Sequence, residues 1–76
     1  MGRWKLVEID GQHVRLCRKR GRSFRGTEIY ETAAESPKEG EWNKSLSRHL
    51  LFNQNCRILR DVPDTEAVAV ILRVGR

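Results

Sequence analysis

The sequence is poor in the residues that staple a chain or span a membrane. Its 76 residues hold two cysteines, two prolines and five aromatic side chains. Small secreted domains usually carry more cysteine, so Cys17 and Cys56 do not make a disulfide scaffold. Both lie in apolar-rich segments and are expected to pack as small buried hydrophobes. The longest apolar run is Ala67 to Leu72, far short of the roughly 20 residues a membrane helix needs. No signal-peptide pattern opens the chain, so the expected location is the cytoplasm, away from the membrane. Catalytic signatures are missing too. There is no Gly-x-Ser-x-Gly, no phosphate-binding glycine loop and no pair of carboxylates with an obvious cleft. The expectation is a protein that is not an enzyme and needs no cofactor. A chain this short buries only about 60% of its unfolded surface, which demands an economical core.

Charge is abundant and unevenly placed. The net charge is +5. Residues 1–26 hold eight Lys/Arg against two acids, residues 27–47 two against five, and residues 48–76 five against three. A basic first third therefore precedes an acidic middle.

Patterning suggests the elements. Trp4-Lys5-Leu6-Val7-Glu8-Ile9 has strand composition. Asp10-Gly11 is a hairpin dipeptide, and His13 to Arg18 alternates with period two. A β-hairpin is expected there, with a basic loop over 19–26. Thr27 as a cap, Glu28 and Glu31 in a first turn, and Ile29, Tyr30, Ala33 and Ala34 at helical spacing predict a helix over about 27–35, stopped by Pro37. A short helical turn near 41–47 would join Trp42 and Leu46. His49-Leu50-Leu51-Phe52 and Cys56-Arg57-Ile58-Leu59 read as strands around a polar turn. Residues 60–66 read as a loop. The apolar-rich stretch Ala67 to Val74 reads as a buried central strand.

A hairpin, a helix and further strands, in that order, resemble the β-grasp plan. His49 to Phe52 and Cys56 to Leu59 are similar to the third and fourth strands of ubiquitin. Ala67 to Leu72 followed by Arg73-Val74-Gly75-Arg76 resembles its last strand and tail. Ile9-Asp10-Gly11 and Gly26-Thr27-Glu28-Ile29-Tyr30-Glu31 through Ala33, Ala34 and Pro37 resemble motifs of the bacterial multiubiquitin-type domains. The resemblance implies an α+β fold, a ubiquitin-like β-grasp with a ββαββ(β) mixed sheet wrapping one helix. It implies a single domain over 1–76 with a tail from about residue 74. It also implies a protein modifier or non-covalent docking module of a bacterial ubiquitination-like pathway, as in antiviral defence. The implied partners are activating-enzyme-like or peptidase proteins. Conjugation would use Gly75 after removal of Arg76, with Arg73 pairing with acids of the activating enzyme. Leu51 and Ile71 match the positions of ubiquitin's hydrophobic patch, and would form a docking face if on adjacent strands; otherwise both are core.

Other residues admit other chemistry. Arg15, Arg18, Lys19, Arg20, Arg22 and Arg25 form a basic cluster, the candidate contacts of a nucleic-acid-binding domain. Phe24 is its only neighbouring aromatic, so no stacking platform accompanies it. The alternative is a solvated strand face. His13, Cys17, His49 and Cys56 have the residue types of a zinc site but lack close paired spacing, so no metal is expected. A ribonuclease toxin reading would place Arg57 at its centre.

Overall fold

The computed structural model describes residues 3–22, 26–38, 40–45, 49–52 and 55–75. Seven elements follow in order: β1 (Trp4–Ile9), β2 (His13–Arg22), β3 (Glu28–Ser36), β4 (Asn43–Lys44), β5 (His49–Leu51), β6 (Cys56–Val62) and α1 (Asp64–Val74). The protein is a small α+β fold. One sheet runs β4-β3-β2-β1-β6, with β5 also pairing to β3, and every pairing is antiparallel. A mixed sheet was the expectation. No helix among the described residues is long and apolar enough to cross a membrane.

The opening hairpin forms where the dipeptide places it. Asp10 and Gly11 both adopt positive φ, 54° and 69°, and Gln12 N–H donates to Ile9 O at 3.1 Å. Such a turn twists with its strands, and glycine accepts that backbone without steric cost.

Two elements exchange type relative to the sequence reading. The helix expected over 27–35 is strand β3. Its Ala and Glu content suits a helix, but Ile29, Tyr30 and Thr32 suit a strand equally, and tertiary pairing decides between them. In β3 the acids Glu28, Glu31 and Glu35 stand against Arg22, Arg18 and Arg15 of β2. The expected last strand, 67–74, is helix α1. Pro63 at its start, Asp64 and Glu66 in its first turn and Arg73 in its last are helix boundary signals. An apolar run alone does not separate a buried strand from a buried helix. The expected loop residues 60–62 extend β6, 19–22 extend β2, and the helical turn near 41–47 contains β4; Leu46 lies outside the described residues.

Strand alternation divides the apolar residues between two faces. On one, Trp4, Leu6, Val14, Leu16, Ala34 and Val62 pack with Ala67 of α1, and Val70, Ile71 and Val74 complete the contact. The other face gathers Val7, Cys17, Tyr30 and Cys56, with Ile9, Leu50 and Phe52 against them. No helix covers that face among the described residues. The chain passes from β5, beside β3, to β6, beside β1, and Phe52 at the start of this passage packs its ring 5.5 Å from Tyr30.

Candidate polyanion-binding surface

The register of the sheet concentrates cations at one end. β1 begins at Trp4, opposite Arg18, while β2 continues to Arg22 paired only with β3. This overhang carries Lys19, Arg20 and Arg22. Between Lys19 and Gly21 the β2–β3 register shifts, leaving Arg20 as the extra residue. A bulge re-aims its side chain, and Arg20 thereby reaches Glu31 Oε2 at 3.3 Å, as Arg18 does at 3.4 Å. Arg3, just before β1, closes the group. A hollow of about 380 Å³ is lined by Arg3, Arg18, Lys19 and Arg20. A second hollow of about 350 Å³, lined by Arg20, Glu31, Thr32 and His49, shares Arg20 with it.

The β2 cations are met by β3 acids. Arg15 lies 3.4 Å from Glu35, Lys19 3.3 Å and Arg22 3.8 Å from Glu28. The acidic middle noted in the sequence is thus the neighbour strand of the basic first third. Three carboxylates serve five cations, which leaves the ladder positive. The pairs at the overhang are also open to water: the side chains of Arg20 and Arg22 are 58% and 61% exposed. Pairs of this kind contribute only about 0–1 kcal/mol, so a phosphate can exchange for a carboxylate at little cost. Arg18 is held more firmly, its guanidinium 5.1 Å from the centre of the Trp4 ring.

Glu28 sits among the cations. Hydrogen bonds from Lys19 and from the Tyr30 hydroxyl, then the charges of Lys19 and Arg22, hold its carboxyl below the usual range. Tyr30 is displaced upward, first by burial and then by its bond to Glu28.

The other expected site residues are dispersed. Arg25 and Arg76 lie outside the described residues. Leu51 is exposed on β5, whereas Ile71 is half-buried on α1 against the core, so the two are not on adjacent strands. Arg73 is exposed in the last helical turn. Gly75 ends the helix, its N–H donating to Ile71 O at 2.9 Å. Arg57 on β6 pairs with Glu8 at 2.8 Å. Cys17 and Cys56 are free and buried, as their apolar setting implied. Among the described residues, no three His, Cys, Asp or Glu side chains gather as metal ligands would.

Arg3 is the site residue the sequence reading missed. Only the pairing of Trp4 with Arg18 brings it to the basic cluster, and nothing local in Gly2-Arg3-Trp4 signals that. Comparison with known proteins finds no matching family model, no matching curated protein and no matching solved structure.

Proposed function

We propose that this protein is a small, non-catalytic module that binds the phosphate backbone of nucleic acid. The observation that carries the reading is the hollow ringed by Arg3, Arg18, Lys19 and Arg20. Backbone phosphates bind such clusters by releasing counterions. Trp4 and Tyr30 are buried, and Trp42 and Phe52 are half-buried, so the described surface offers no aromatic row on which bases stack. Binding is therefore independent of base sequence. A salt titration with a labelled oligonucleotide tests this. Affinity falls steeply with salt, and the R3A/R20A variant gives a log–log slope shallower by about two, one for each lost phosphate contact. Absent binding at low salt, or an unchanged slope in a folded variant, rejects the reading.

A second reading is the ubiquitin-like one, a β-grasp modifier or docking module of a bacterial ubiquitination-like pathway. Its support is the sequence resemblance, the small α+β fold and the exposure of Leu51 at 54%. Activation at Gly75 would require loss of Arg76 and release of the last turn of α1. Protein trimmed to Gly75, given its cognate activating enzyme and ATP, then forms a thioester adduct. Failure to form one removes the modifier version.

A further inference from the structure

Helix α1 has apolar residues on both sides. Its inner side, Ala67, Val70, Ile71 and Val74, packs on the sheet. On the outer side Val68 is 50% and Leu72 59% exposed. They are four residues apart and so share one face, with exposed Ala69 beside them. A helix that is apolar all round is normally buried all round.

The charges flanking this face identify what covers it. Glu66 and Arg73 are seven residues apart, two helical turns, and therefore lie along the same side of α1. They also line one shallow hollow with Trp42 and Ala69. Glu66 is at the N-terminal end of that line and Arg73 at the C-terminal end. An antiparallel copy of the same helix, related by a two-fold axis beside Ala69 and Val70, sets Glu66 against Arg73 of the second copy. The same operation repeats the pair at the other end of the two helices. Val68 falls opposite Leu72 of the second copy, again twice. Arg73 makes no ion pair among the described residues. Glu66 bonds Arg60 at 2.6 Å but remains 44% exposed. We propose that the outer face of α1 is a homodimer interface, with an apolar centre of Val68, Ala69 and Leu72 and two symmetric Glu66–Arg73 pairs at its flanks.

The charge arrangement makes the proposal testable by exchange. In an R73E homodimer two carboxylates meet at each flank, and in an E66R homodimer two guanidinium groups meet there. Mixing the two variants restores both pairs in the heterodimer: one flank joins the native Glu66 of the R73E copy to the native Arg73 of the E66R copy, and the other joins the two substituted positions, again opposite in sign. The double variant E66R/R73E is a second rescue, within one chain: it reverses every pair and leaves each one opposite in sign. Sedimentation velocity over a concentration series should find wild-type dimer. Each single variant should weaken it by at least about tenfold, and the double variant should recover it. L72K should abolish it with the helical circular dichroism retained. Wild-type protein that stays monomeric at every concentration overturns the proposal. So does a folded double variant that fails to recover the dimer. A monomer that binds a different protein through Leu72 assigns the face to a foreign partner and equally overturns it. None of these outcomes depends on nucleic-acid binding.

Discussion

The two faces of the sheet are closed by different means. The helix face is sealed by a regular element, with Ala67 fully buried between Leu6, Leu16 and Val62. The second face has no helix over it among the described residues: Val7, Cys17, Tyr30 and Cys56 are packed by Ile9 of β1, by Leu50 of β5 opposite Tyr30, and by Phe52 just after β5. The difference reaches the electrostatics. Cys17, Glu28, Tyr30 and Asp61, all with displaced pKa values, lie on the second face. A small chain has too few apolar residues to cover both faces with helices. The face without a helix places apolar and ionisable groups side by side. Through these four groups, pH acts on the fold at this face.

The sharpest break of this contrast is volume. Leu16→Ala empties space beneath α1, where a packed helix cannot easily follow, and should cost about 2–5 kcal/mol. Cys17→Ala, one residue along the same strand but on the second face, removes a single sulfur and should cost clearly less. Denaturant unfolding of both variants measures the difference. Equal losses would mean that the face without a helix is packed as tightly as the face beneath α1.

Alkali separates the faces by charge. Burial pushes the Cys17 thiol up to about 12, with Arg15 opposing and Cys56 adding to the rise. The unfolded chain ionises that thiol near its ordinary value, below the folded one. Stability from this group is thus complete below that ordinary value and declines as pH rises from there toward about 12. Tyr30, also displaced upward, acts in the same direction. Unfolding free energy measured across that range should fall more steeply for wild type than for Cys17→Ala. Parallel curves would show that the thiol is not desolvated. The same burial should leave Cys17 unreactive toward an alkylating reagent at neutral pH until the chain unfolds.

How far these features were legible depends on the range of the interactions that create them. The hairpin was readable because Asp10-Gly11 acts on its own neighbours. The basic cluster was readable as composition, but its pairing with Glu28, Glu31 and Glu35 needed β3 to be a strand. That identity is settled by β2 alongside it and not by residues 28–36 themselves. Helix α1 is the opposite case. Asp64, Glu66, Arg73 and Gly75 were local signals sufficient for a helix, and the apolar run between them outweighed them. Leu51 and Ile71 were paired on the assumption of adjacent strands, and the exchange of 67–74 to helix separated them. Arg3 entered the site through register alone.

The smallest effect concerns the exposed carboxylates at the margins of the second face. Lys5 donates to Asp61 at 2.5 Å and holds its carboxyl below the usual range. Lys19 and Tyr30 do the same for Glu28. Because the folded values are depressed, these groups stabilise the fold above the ordinary carboxylate range, and that contribution is lost as pH falls through the lower folded values. Both carboxylates are open to water, so salt screens them and the effect is small. E28Q and D61N should each flatten the acid limb of the stability curve, and added salt should shrink their difference from wild type. Glu28 pairs directly with Lys19 and Arg22 of the β2 overhang, whereas Asp61 pairs with Lys5 on the other side of β1, two residues from Arg3. E28Q, which frees two cations of the overhang, should therefore strengthen oligonucleotide binding at low salt more than D61N, which frees Lys5 alone. Equal gains from both would mean that nucleic acid senses only net charge, and that the hollow at the β2 overhang is not where it binds.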